Sequence, residues 1–331
     1  MDTKELITKI EQPEYDFLRE NEHLGKNIIL LTVGGSHAYG TNTETSDLDI
    51  RGVCTRMPRE ILVGKKMEQV INESTDTTIY GFEKFVNLVS DCNPNTIELL
   101  GNVPEHYIYL SPAGKQLLDN RKMFLSKKCK YTFGGYANQQ LRRLQNALAR
   151  DNYPEEEKRH HIINSMKNTV NSLFEEYNDS IEIYQKNEEI NITLKQDLEM
   201  PVKQMNSFMS QMTNIVRDYE KLNHRNSKKD LAHLNKHAMH LVRLYFTGID
   251  ILEKEEIITY RKPEHFLLMQ IRKGFFVNPD GTYHPSFFEL VNDLDKRFKY
   301  AAENTSLPDK PNYKDIEEFI YEVNRSCLLQ N

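Results

Sequence analysis

The stretch Asn27–Val53, NIILLTVGGSHAYGTNTETSDLDIRGV, constrains this chain more than any other. Ile28–Val33 is an apolar run too short for an ordinary helix and reads as a buried strand. It runs into Gly34-Gly35-Ser36, where two residues without a β-carbon let the backbone turn tightly and approach a ligand closely. Ten residues separate Ser36 from Asp47-Leu48-Asp49-Ile50, which opens a second strand-like run through Arg51 to Cys54. Residues two apart on a strand share a face, so Asp47 and Asp49 are expected to point one way while Leu48 and Ile50 enter a core. Adjacent carboxylates repel each other unless a cation neutralises them, and a hard divalent ion, Mg²⁺ or Mn²⁺, suits an all-oxygen site. Strand, glycine turn and paired aspartates together are the parts of a device for holding a metal-bound triphosphate.

In this order and at this separation the two elements resemble the DNA polymerase β type of nucleotidyltransferase. That superfamily's pattern is an apolar residue, Gly, then Gly or Ser, roughly ten residues, and Asp-x-Asp between apolar positions. Val33-Gly34-Gly35-Ser36 and Asp47-Leu48-Asp49-Ile50 match it without a gap. The resemblance implies an α+β fold whose first part is a small, polymerase β palm-like mixed sheet. It also implies a third carboxylate on a later strand beside the aspartate pair. Asp76, ahead of the β-branched run Thr77–Tyr80, is the first choice, and Glu73 the second.

At 331 residues the chain exceeds a usual single domain, so two parts are expected. A division into a nucleotidyltransferase domain, 1–110, and a helical domain, 111–331, follows from the texture. Thr77–Tyr80 suits a strand, Phe82 to Val89 is apolar at helical spacing, and Asn93-Pro94 opens a helix as cap and first turn. Beyond Ser111, helical spacing recurs over Lys115–Phe124, Tyr131–Ala149, Glu156–Tyr177, Val202–Leu222, Asp230–Ile251 and Lys314–Leu328. The polar stretch Asn178–Met200 holds a short β-excursion at Ile181–Tyr184.

The net charge of −6 excludes a generally basic nucleic-acid coat, so any polyanion has to meet a local patch. Cys54, Cys92, Cys129 and Cys327 form no C-x-x-C pair, which indicates neither a zinc knuckle nor a disulfide framework. With no apolar run of membrane-spanning length and an acidic start lacking a signal peptide's pattern, a reduced, soluble, cytoplasmic protein is expected.

The helix from Asp230 supplies the strongest local patch. Leu231, Leu234, Ala238, Leu241, Val242 and Tyr245 form its apolar side, and His233, Lys236, His237, His240 and Arg243 a basic stripe opposite. Lys236 and Arg243 oppose a transition metal on those histidines, whereas Lys236, His240 and Arg243 suit phosphate, of the triphosphate or of an RNA backbone. Lys127-Lys128-Lys130, Arg142-Arg143 and His224-Arg225 with Lys228-Lys229 are further basic clusters, read as surface. Arg142 and Arg143 follow Tyr131, Phe133 and Tyr136, a mixture suited to stacking on single-stranded RNA.

Lys236–Leu244 also resembles the helical motif of the predicted nucleotidyltransferases that accompany RNA ligases, the RlaP or YcgL-like group. Asn93–Leu100, Gly135-Tyr136-Ala137 and Gln270–Gly274 are similar to that group as well. The resemblance implies Mg²⁺-dependent transfer of NMP from an NTP to a hydroxyl, with an RNA 3′ end favoured. Asp47, Asp49 and Asp76 would hold metal and Gly34, Gly35 and Ser36 the phosphates. Two rivals are AMP transfer to a protein hydroxyl, as in antitoxin-like members, and a non-catalytic nucleotide or RNA binder. The choice of NTP and the oligomeric state are left open.

Overall fold

The computed structural model describes residues 3–148, 155–195, 197–220, 231–279 and 281–329. The fold is α+β, as expected. Five strands make one mixed sheet: β1 (Ile28–Val33), β2 (Ile50–Cys54), β3 (Gln69–Asn72), β4 (Thr77–Gly81) and β5 (Tyr107–Leu110). Their spatial order is β3-β4-β2-β1-β5, with β2 and β4 parallel and every other neighbouring pair antiparallel.

β1 is buried along its whole length, as an uninterrupted IILLTV run requires. Its one polar side chain, Thr32, donates to the His106 carbonyl at 2.9 Å and accepts from Asn102 Nδ2 at 2.7 Å, so no buried hydroxyl is stranded. β2 starts at Ile50 rather than at Asp47 as expected. Val33↔Ile50 is the first pair of the β1–β2 ladder, and Gly34 N–H adds one bond to the Asp49 carbonyl at 2.8 Å. Beyond that bond β1 has already turned into a short helix, Gly35–Tyr39, and the preceding residues have no strand to pair with. The two edge strands, β3 and β5, are four residues each and too short to declare themselves by alternation.

The described residues fall into two compact units that are discontinuous in sequence. The first takes in Met1–Phe133, Phe246–Met269 and Tyr300–Asn331, the second Gly134–Tyr245 and Gln270–Lys299. The expected division at residue 110 separates stretches of chain; packing groups residues 111–133 and the last helix, Tyr313–Leu329, with the sheet. Phe319 of that helix meets Phe82 and Phe124 edge-on, at 5.8 and 6.4 Å between ring centroids. In the second unit, helices Glu155–Leu173 and Val202–Glu220 close over the hairpin β6 (Ile181–Lys186) and β7 (Glu189–Leu194). Met166, Val170, Ile183, Phe208 and Ile215 are the centre of that core. The expected β-excursion at Ile181–Tyr184 is the first strand of this hairpin. No helix among the described residues is long and apolar enough to cross a membrane.

Candidate active site

The site is assembled on the first unit's sheet, where β1 ends and β2 begins. Gly35 has a φ of +55°, in the left-handed region, and a β-carbon there would lie 1.6 Å from Asp49 Oδ2. A β-carbon on Gly34 would lie 2.8 Å from Arg51 Cγ. The two glycines therefore make room for the Asp49 and Arg51 side chains to lie against the turn. Leu48 and Ile50 pack into the core beneath the sheet. Asp49, between them, is half-buried, Asp47 is exposed, and Ser36 is half-buried in the first turn of the short helix.

Parallel pairing brings in the third carboxylate. Ile50 pairs with Thr77 and Arg51 with Thr78, so Asp49 and Asp76, which precede the first of these pairs, come to the same end of neighbouring strands. Arg51 joins them: one guanidinium nitrogen lies 3.0 Å from Asp76 Oδ1 and 3.6 Å from Asp49 Oδ1. The guanidinium also donates to the Asp76 and Ile50 carbonyls. Asp76 itself sits at φ +43°, a conformation aspartate tolerates better than most residues. Glu73 is exposed on the turn before it.

Among the described residues no three His, Cys, Asp or Glu side chains converge as a metal-ligand set. The donor chemistry nevertheless fits a hard cation. The carboxylates of Asp49 and Asp76, at the starts of neighbouring strands, already gather round one positive charge, and carboxylate oxygens are the ligands such an ion takes.

Beside the turn opens a cavity of about 310 Å³, lined by Gly34, Gly35, Arg51, Asn95, Glu98 and Asn102 among others. Part of its lining is held by hydrogen bonds. The Tyr39 hydroxyl donates to Glu98 Oε2 at 2.7 Å, and the Thr259 hydroxyl to the Glu98 carbonyl at 2.5 Å. Arg261 N–H donates to the Tyr39 carbonyl, and its buried guanidinium pairs with Asp250 at 2.5 Å.

A family model described as RlaP, RNA repair pathway DNA polymerase beta family, matches residues 10–322. The chain belongs to the RlaP family. An uncharacterised 38.9 kDa protein from the nrdC–mobD intergenic region of Enterobacteria phage T4 is 29% identical over 119 residues. That match covers 32% of this chain and 35% of the phage protein, about a third of the relative's length. No solved structure matches the chain.

The basic stripe of the RlaP-like helical motif lies in the second unit, on helix Leu231–Lys254. Its five side chains are unequally exposed. His233 and Lys236 are exposed, His237 and His240 half-buried, and Arg243 only 5% exposed. His237 Nδ1 lies 2.9 Å from Gln140 Oε1. Burial, followed by the charges of Arg243, Lys236, His237 and Arg272, holds His240 well below its ordinary pKa.

The other basic clusters read as surface divide. Lys128 is tied to Asp91 and to the Tyr313 hydroxyl, at 2.5 and 2.6 Å. Arg142 and Phe133 are both buried, 6% and 1% exposed, which removes them from any stacking surface. His224-Arg225 and Lys228-Lys229 lie outside the described residues.

Sequence reasoning missed Arg51, Tyr39, Glu98, Asn102 and Thr259. Arg51 carried a usable signal, being two residues beyond Asp49 and so on the same strand face. Glu98 stood within the Asn93–Leu100 likeness without a chemical role. For Thr259, far along the chain, no local signal existed.

Proposed function

We propose that this chain is a nucleotidyltransferase, dependent on Mg²⁺ or Mn²⁺, that moves NMP from an NTP to a hydroxyl, with an RNA 3′ end as acceptor. The observation that carries this reading is the convergence of Asp49 and Asp76 on one cation beside the Gly34-Gly35 turn. The family's RNA repair description favours RNA over a protein acceptor.

In this reading the acceptor oxygen attacks the α-phosphorus, the bond from that phosphorus to the β-phosphate's bridging oxygen breaks, and pyrophosphate leaves. Asp47, Asp49 and Asp76 would hold the divalent ions, which supply charge neutralisation at the polyphosphate and activation of the attacking hydroxyl. Gly34 keeps the wall beside the turn free of a side chain. Gly35 and Ser36 donate N–H and hydroxyl hydrogen bonds to the β- and γ-phosphates. Arg51, released from the carboxylates as phosphate arrives, is placed to carry part of the leaving group's charge. Lys236, exposed with His240 half-buried beside it, binds phosphate in the second unit, and the buried Arg243 adds its charge from behind.

The test is pyrophosphate release from each of the four NTPs with RNA ends, with and without Mg²⁺. Asp49→Asn and Asp76→Asn should each melt like the parent yet lose about 10²–10³-fold in rate, the usual cost of deleting one electrostatic stabiliser. Glu73→Gln should keep full activity. Undiminished labelling by the Asp49 variant would remove the catalytic assignment.

A further inference from the structure

β3 has one neighbour in the sheet, β4, and its other side is an edge. Just ahead of the strand, Gly81 N–H donates to the Glu68 carbonyl at 2.9 Å. Hydrogen-bonded and non-hydrogen-bonded pairs alternate along an antiparallel ladder, so Glu68, Val70 and Asn72 turn their main-chain groups toward β4. Gln69 and Ile71 therefore aim their N–H and C=O groups away from the sheet, and among the described residues no main-chain group outside the sheet bonds to them. Native sheets blunt such an edge with a lysine, a proline, a bulge or a covering element. Gln69-Val70-Ile71-Asn72 has neither lysine nor proline, and its ladder with β4 keeps one register throughout. Ile71 is 56% exposed, and Leu62 and Val63, in the segment leading to the strand, are 74% and 67% exposed. The opposite edge, β5, has the helix Thr3–Ile10 against it.

The open side of β3 is self-complementary. Gln69 and Ile71 stand symmetrically about Val70, so a second β3 laid antiparallel, Val70 opposite Val70, sets each Gln69 opposite the second copy's Ile71. Each such pair exchanges both of its outward N–H···O=C bonds. Glu68 then stands opposite the second copy's Asn72, and no like charges face each other along the strand. Charge favours the same direction. Lys66 precedes the strand, Glu73 follows it, and both are exposed. Antiparallel pairing brings each copy's Lys66 beside the other's Glu73, whereas parallel pairing would set lysine beside lysine and glutamate beside glutamate.

We propose that β3 is a self-association edge, through which two copies of this chain join their sheets antiparallel about Val70. A two-fold contact of this kind is isologous and closed, which gives a dimer instead of a filament. One short strand from each copy is a small interface, so the dimer is weak and forms with rising concentration. Self-association stands apart from nucleotidyl transfer.

The experiment is sedimentation velocity on the full chain over a range of concentrations, with a melting curve for each variant. The parent should pass from monomer to dimer as concentration rises. Because the Ile71 N–H points away from β4, Ile71→Pro removes an outward donor and leaves the ladder whole. It should weaken the dimer by about tenfold to a hundredfold, the worth of one backbone bond lost from each copy. Ile71→Lys, which blunts the edge as natural edge lysines do, should weaken it similarly and answers the question if the proline variant does not fold. Lys66→Glu should weaken the dimer several-fold at low salt. Adding Glu73→Lys to that variant should restore the parental dissociation constant, since residue 66 of each copy again meets the opposite charge. A protein that stays monomeric up to its solubility limit leaves the edge to a foreign extended strand and overturns the proposal. A dimer indifferent to Ile71→Pro and Ile71→Lys, or one that the double charge exchange does not recover, overturns it as well.

Discussion

At Gly35 the backbone takes a φ of +55°, and the Asp49 carboxylate fills the volume that a β-carbon would need. Those two demands are independent, since one concerns the torsion and the other the neighbour. Gly35→Ala meets both, with about 1–2 kcal/mol for the left-handed torsion and a forced displacement of Asp49. Nucleotide transfer by Gly35→Ala should fall about 100-fold, the usual consequence of moving a reacting group by an ångström. The melting temperature should fall only by a few degrees. Parental turnover in that variant would mean that the Asp49 position is immaterial. Arg51 shows the same economy of placement, since a residue two along from Asp49 needs no further structure to reach the same face.

Two elements away from the carboxylates govern whether the site survives. Arg261 is 1% exposed and ion-paired with Asp250, and Thr259, two residues earlier, holds the Glu98 carbonyl. Arg261→Ala strands a buried carboxylate and should cost about 3–5 kcal/mol in denaturant unfolding. A loss below 1 kcal/mol would show that Lys254, also paired with Asp250 at 2.7 Å, suffices alone.

The helix Leu231–Lys254 makes a prediction of the opposite kind, about pH. His240 is held well below 6.5 by burial and by neighbouring cations, and burial lowers His37 and His106 as well. The unfolded chain therefore takes up protons below pH 6.5 that the folded chain refuses. Stability is complete above that pH and falls as acid carries the solution down toward the depressed folded-state pKa. Urea midpoints measured from pH 8 downward should decline below 6.5, and His240→Gln should flatten the decline. A midpoint that rises on acidification contradicts the assignment.

For the molecule as a whole, the net charge of −6 means that any RNA has to be met locally. Lys236, exposed among His237, His240 and Arg243, is the accessible edge of the one strong cationic group described in the second unit. Lys236→Ala should weaken binding of single-stranded RNA evenly across sequences and lower the slope of log affinity against log salt by about one. An unchanged slope would place the RNA contact elsewhere. Three of the four cysteines contribute packing instead of chemistry: Cys54, Cys92 and Cys129 are buried, and burial pushes the Cys54 thiol up to about 12.

How much of this was legible follows the range of the interaction concerned. The buried run Ile28–Val33, the glycine turn, the cap at Asn93 and the amphipathic helices are local patterns, set by backbone torsion and by the periodicity of apolar residues. The sequence by itself therefore determined the α+β class and the family. Only the tertiary structure decided where β2 begins, that Asp76 comes to Asp49, and that Arg51 joins them. It also decided that Arg243 and Arg142 are buried, and that Thr259 and Asn102 meet the cavity. Each of those depends on which strand or helix lies alongside, and a partner chosen across tens or hundreds of residues leaves no trace in the spacing of the residues that it touches.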